Sequence, residues 1–224
     1  MAAYLWRTLL LLGRGQEALT TTDYLNVLAR PGAVPLCLAV LGRKTEATAA
    51  LHKTLSDWHV APPEEDGSTH ILVMLLEAAQ LLNDRDAVAL LANRMAPAAP
   101  ISTLYFALTT PARHLGAAAA FLGKLPEART YYLQALEAAG KIRFRPEIAL
   151  THLGLAELLL DETKKPEPLD LRTSQTQQLS GAPLAAAMRK EANEHLDFAI
   201  AEFQAMKMQP SLERALRHKG LLKA

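Results

Sequence analysis

The chain has 224 residues, half of them hydrophobic and only 5% aromatic, with 24 Lys and Arg set against 23 Asp and Glu. That length spans one large domain or two small ones, and the near-neutral charge gives no global reason to expect nucleic-acid or anionic-membrane binding. Ala and Leu dominate and β-branched residues are scarce, which points to an all-α protein.

The N-terminal MAAYLWRTLLLL is apolar, yet it lacks a basic n-region, is broken by Arg7 and precedes no small-residue cleavage site. It reads as a helix rather than a leader. No run reaches the ~18 apolar residues a membrane span needs. The single Cys37, inside AVPLCLAVL, reads as a buried structural thiol of a reducing compartment. The expected location is the cytoplasm.

Helical periodicity predicts helices near 2–12, 15–29, 33–42, 44–59, 68–82, 84–95, 101–122, 125–141, 145–161, 183–207 and 209–222. Most prolines fall at or near junctions, where a missing N–H costs least. Pro111 is the exception, so 101–122 is expected to be two helices or one kinked helix. APPEEDGS at 61–68 reads as an acidic connector, with Ser68 or Thr69 placed to cap the next helix. The Pro-, Gln- and Ser-rich 163–183 carries no helical stripe and is expected to be a mobile loop.

One pattern recurs: two apolar residues, a turn residue, three or four polar ones, then a small residue inside the next helix. LLGRGQEAL at 11–19, VLGRKTEATAAL at 40–51, LLNDRDAVALL at 81–91 and FLGKLPEARTYYLQAL at 121–136 share it. The small residues Ala18, Ala47, Ala87, Ala128 and Ala192 lie 29, 40, 41 and 64 residues apart. Removing the 163–183 loop returns the last interval to about 40, the length of two helices and their turns. In the clearest copy Gly123 is placed to end a helix and Pro126 with Glu127 to start the next. Ala128 permits close approach there, and Tyr132 and Ala135 share its face. Each helix pair would then bury one face on its partner and another on the next pair.

Leu115–Gly116, Gly123, Glu127–Ala128, Tyr132 and Ala135–Leu136 resemble the tetratricopeptide repeat, and Leu153–Gly154 opens the next unit in the same way. Ala192, Leu196 and Ala199 complete that unit after the loop. The likeness is good over about 101–222 and looser over 1–97, where Arg94 stands at a position expected to be small. It implies an all-α, right-handed α-solenoid of antiparallel helix pairs with a period near 40 residues, longer than the family's usual 34. It also implies one continuous superhelical domain: degenerate repeats over 1–97, then better-matched repeats and a C-terminal capping helix over 98–222. The longer period is similar to the C-terminal arrays of large bacterial signalling ATPases, including proteins with nucleotide cyclase domains and LuxR-type regulators. On that resemblance, catalytic or switching domains would precede residue 1.

No motif carries chemistry. GRGQEALTTT at 13–22 and GRKT at 42–45 look superficially like phosphate loops, but neither contains GxxxxGK[ST] or follows a predicted strand. Among the histidines, His52 and His59 could share a helix face, with no third ligand beside them. Arg214, Arg217, His218, Lys219 and Lys223 make the C-terminus basic, and a capping helix with an apolar face explains them better than a nucleic-acid contact. Tyr131, Tyr132, Phe144, Trp6 and Trp58 read as helix-packing residues. No catalytic residue, metal or cofactor is expected.

The expected function is therefore a non-catalytic scaffold. Spacing from Gly116 and Gly154 points Arg113, Ala117, Ala120, Thr151, Leu155 and Leu158 toward a concave groove. Such a surface, apolar with one cation, suits a helical, apolar protein or peptide partner. The alternative expectation is a regulatory array that senses a small effector inside the superhelix.

Overall fold

The computed structural model describes residues 2–24, 30–57, 69–101, 109–164 and 182–221. Among them every regular element is helical: α1 (Ala2–Leu11), α2 (Gly15–Thr21), α3 (Arg30–Val40), α4 (Lys44–Asp57), α5 (Thr69–Leu82), α6 (Arg85–Met95), α7 (Pro111–Phe121), α8 (Leu125–Lys141), α9 (Arg145–Glu162), α10 (Ala182–Met206) and α11 (Gln209–His218). Short 3-10 turns at Thr22–Tyr24 and Ala96–Ala98 follow α2 and α6. No described helix is long and apolar enough to cross a membrane.

Most boundaries lie within two residues of the sequence expectation, but α2, expected to run to 29, ends at Thr21 and passes into the Thr22–Tyr24 3-10 turn. Helix α3 begins three residues early and accommodates Pro35 in its interior. Pro35 has no N–H to give the Pro31 carbonyl. The Thr54 hydroxyl of α4 stands 3.4 Å from that oxygen, although its shorter bond, 2.8 Å, goes to Ala50. Helix α7 starts at Pro111 because Thr110 caps it, its side chain accepting from the Arg113 N–H. Residues 102–108 of the longer expected segment lie outside the described residues, as do Trp58, His59, the 61–68 connector and 165–181. Helix α10 opens at Ala182, one residue before the expected 183. Helix α11 stops at His218, short of 222, and Gly220 beyond it adopts a left-handed φ of +73°.

The recurring turn is a defined structure. At Gly123, φ is +84°, its N–H donates to the Ala120 carbonyl at 3.0 Å, and the Lys124 N–H donates to that of Ala119 at 2.8 Å. This is the Schellman pair of bonds, which satisfies carbonyls left over at a helix end. The same pair recurs at Gly13, Gly42, Asn83, Arg143, Lys207 and Gly220, each with positive φ. Arg143 and Lys207 occupy this conformation without the freedom glycine would bring.

Packing follows chain order. Helices α1 and α2, α3 and α4, α5 and α6, α7 and α8, and α9 and α10 contact within pairs, while α3, α5, α7 and α9 contact in succession. Ala18, Ala47, Ala87, Ala128 and Ala192 are all buried, as small residues at a close crossing must be. Helix α5 touches α3, α4, α6 and α7, and Ile71 to Leu76 are buried all round it. Two apolar clusters result, one from Trp6 to Met95 and one from Leu125 to Ala215. Helix α7 joins them, giving Leu115 and Ala118 to the first and Ala119 to the second. Cys37 is fully buried, and burial pushes its thiol up to about 12, so it is neutral at physiological pH.

Candidate functional site

The first turns of α7 and α9 meet at a buried polar knot. Glu147, in the first turn of α9, presents Oε1 to the Thr109 hydroxyl at 2.7 Å and to both the N–H and the hydroxyl of Thr110 at 2.8 Å. Arg113 Nε is 2.9 Å from the same oxygen, and the Glu147 side chain is 2% exposed. The Thr110 cap, the Glu147 carboxylate and the Arg113 guanidinium therefore fix one another. An ionised carboxylate this deep is tolerable only with such partners.

His114 continues the network. Arg113 Nη2 is 2.8 Å from His114 Nε2 and 2.9 Å from the Thr109 hydroxyl oxygen. A guanidinium can only donate, so Nε2 accepts and the ring proton sits on Nδ1, which lies 4.0 Å from Glu77 Oε2. Burial, then the charges of Arg113 and Arg7, hold His114 well below the usual histidine range. Glu77, on α5, is also paired at 2.7 Å with Arg7 of α1, whose side chain is 4% exposed. The Arg7 guanidinium carbon lies 6.0 Å from the Trp6 ring centroid. The arginine that interrupts the N-terminal apolar run is thus a buried tie between α1 and α5.

Beside this network lies a cavity of about 710 Å³. Glu77, Gln80 and Leu81 of α5, Arg113, His114, Ala117 and Ala120 of α7, Tyr132 of α8, Glu157, Leu158 and Asp161 of α9, and Arg214 of α11 line it. Four groove residues expected from the sequence, Arg113, Ala117, Ala120 and Leu158, come together here. Thr151 and Leu155 do not. Thr151 is fully buried and donates to the Glu147 carbonyl at 2.7 Å, and Leu155 is 1% exposed in the C-terminal core. The wall is also richer in charge than a mostly apolar surface with one cation, because Glu77, Glu157, Asp161 and Arg214 contribute to it.

These charges are held by protein partners. Arg214 Nε and Nη2 each lie 2.6 Å from one oxygen of Glu157, a bidentate pair, and His218 Nε2 is 2.8 Å from Glu157 Oε1. Burial raises the Glu157 carboxyl, but the His218 and Arg214 contacts outweigh it and leave the group below its ordinary range. Asp161 is paired with Lys164 at 2.7 Å. Tyr132 is 4% exposed, and burial raises its phenol, so it enters the wall neutral. The cavity wall thus sets paired charges beside apolar patches.

Two further groups lie elsewhere. His152 Nδ1 and His195 Nδ1 are 2.7 Å apart between α9 and α10, with the His152 ring 4.3 Å from that of Phe198. Burial, then the neighbouring His195, push His152 down to about 4, and burial is also the main cause of a lowered His195. His52 pairs with Asp84 at 2.6 Å, and Asp84 caps α6 by accepting from the Ala87 N–H. Among the described residues no three His, Cys, Asp or Glu side chains converge as a metal site.

No family model matches this sequence, and neither does any curated protein compared with it. Among solved structures the chain is similar to BtubC (BKLC) from P. vanneervenii, at 16% identity over 93% of this chain and 89% of that one, with a TM-score of 0.44. A likeness at that level assigns no function.

Proposed function

We propose that this chain is a non-catalytic binding module: a tetratricopeptide-like, right-handed α-solenoid of antiparallel helix pairs that docks a protein or peptide segment in its concave groove. The observation that carries this reading is the cavity. It gathers side chains from α5, α7, α8, α9 and α11 into one concave wall, with alanines facing the space where bulk would otherwise fill it. Leu81, Ala117, Ala120 and Leu158 offer apolar contact, while Gln80 and Asp161 offer hydrogen bonds at its border. A helical segment with one apolar face suits this wall, and its polar flank would meet the carboxylates. The resemblance stated above extends the proposal to the C-terminal array, or a free-standing remnant, of a bacterial signalling or transcription-regulatory ATPase.

A second reading has one observation in its favour. A volume of about 710 Å³ falls within the roughly 300–1,000 Å³ of small-molecule sites, so a small effector would also fit. Peptides selected from a display library against the intact chain separate the two. The peptide reading expects a selected peptide to raise the melting temperature and Ala120→Arg to weaken it at least about tenfold, with the fold intact. Stabilisation by metabolites alone, with no peptide recovered that Ala120→Arg weakens, would replace it with the effector reading.

A further inference from the structure

Arg145 of α9 pairs with Glu202 of α10 at 2.8 Å, and two turns further along α9 the joint carries a different kind of contact. There His152 Nδ1 faces His195 Nδ1 at 2.7 Å, with the Phe198 ring 4.3 Å from that of His152. Two neutral imidazoles this close hold one proton between them, because an N–H must face a lone pair. The surroundings of the two rings differ. His195 Nε2 lies 3.9 Å from Glu191 Oε1, and Arg129 of α8 holds that same oxygen at 2.9 Å. The charge that acts on His152 is that of His195.

We propose that the His152–His195 pair is a proton-counting joint between α9 and α10: it takes one added proton on His195 with its bond intact, and parts on the second. The first proton makes His195 an imidazolium that donates through Nδ1 to neutral His152, a charge-assisted bond stronger than the neutral one. Glu191 seats the charge there, since its carboxylate faces the Nε2–H on the far side of the ring. The second proton takes the lone pair of His152, so two N–H groups and two positive charges face each other. The two steps belong to the rings as a pair. Burial, then His195, push His152 down to about 4, while at His195 burial lowers, Glu191 opposes it, and Arg129 and Glu194 act in turn. On the other helices at this joint, Arg113 of α7 is engaged by Glu147, Arg214 and His218 of α11 by Glu157, and Lys219 by Asp197.

Nitrogen-15 NMR of the imidazoles in the whole chain, between about pH 7.5 and about 3.5, tests this, because ring shifts report which nitrogen is protonated. As pH falls, His195 is expected to gain its proton first, with the backbone resonances around 152 and 195 unmoved. Those resonances should change only as His152 titrates. His195→Asn removes the opposing charge and offers an amide oxygen to a protonated His152, so the His152 step should move to higher pH. Glu191→Gln should move the His195 step to lower pH. Amide spectra at about pH 7.5 check that each variant folds, and the order of steps in the parent chain decides where one does not. His152 protonating first, backbone changes that accompany the first proton, or a His152 step unmoved in folded His195→Asn would overturn the joint.

Discussion

Tyr132 lies so close to Gly154 that a Cβ there would stand 2.7 Å from both Cε1 and Cζ of the ring. The other side of the contact is equally tight, since a Cβ on Gly116 would meet Tyr132 Cδ1 at 2.7 Å. One aromatic residue of α8 is thus held between glycines of α7 and α9, and it also lines the cavity. Gly154→Ala is expected to destabilise the chain by about 1–3 kcal/mol, as overpacking of a buried contact does. Combining it with Tyr132→Leu should recover part of that loss. Additive urea midpoints for the two changes would deny the contact.

Glu147 is the anchor of the polar knot. Glu147→Ala leaves Arg113 buried beside Thr109 and Thr110 without its counter-charge, and a loss of about 3–5 kcal/mol is expected. For the same reason Arg113→Glu is a poor probe of the groove, since it sets two carboxylates together. Chemical denaturation of Glu147→Ala against Glu147→Gln measures the cost, and the glutamine variant is expected to lose less because it keeps an acceptor oxygen.

Acid sensitivity follows from one buried histidine and two half-buried ones. His114, His152 and His195 all have folded-state values below the ordinary 6.5, so each binds its proton more readily in the unfolded chain. Their neutral forms fit the native structure fully above about pH 6.5. Stability is lost as pH falls below it, for His152 down to its folded value of about 4. Melting temperatures between pH 7.5 and 4.5 should fall less steeply for His152→Asn than for the parent. Parallel curves would show that the His152–His195 contact does not contribute.

The left-handed residues give a stabilising prediction. Arg143 and Lys207 adopt φ of 53° and 57° at turns where Gly123 adopts +84°. The left-handed conformation costs a non-glycine residue roughly 1–2 kcal/mol, while glycine adds about 0.4–1 kcal/mol of unfolded-state entropy. Arg143→Gly and Lys207→Gly are each expected to raise stability by a few tenths to about 1 kcal/mol, read from thermal melts.

Local features were the legible ones. Helix α8 begins and ends at Leu125 and Lys141, the expected residues, because Pro126 and Glu127 start it and the turns on either side are short. Arg113, Ala117 and Ala120 follow from their spacing on one face of α7. Thr151 and Leu155 do not reach the cavity because α9 buries residues on nearly every side, so its apolar pattern does not distinguish groove from core. Glu77 and Arg214 had no local signal. They come to the wall from α5 and α11, and their partners Arg7 and Glu157 are 70 and 57 residues away in sequence. The left-handed Arg143 and Lys207 were equally hidden, since neither residue type favours the conformation it holds.

Hydrogen–deuterium exchange of the chain, with and without a display-selected peptide, tests the central claim most directly. Slowed exchange is expected in α7 and α9 around Arg113, Ala117, Ala120 and Leu158, with the Lys44–Asp57 helix and the outer face of α10 unchanged. Protection confined to those outer helices, with none at the cavity, would contradict the assignment of the cavity as the binding site.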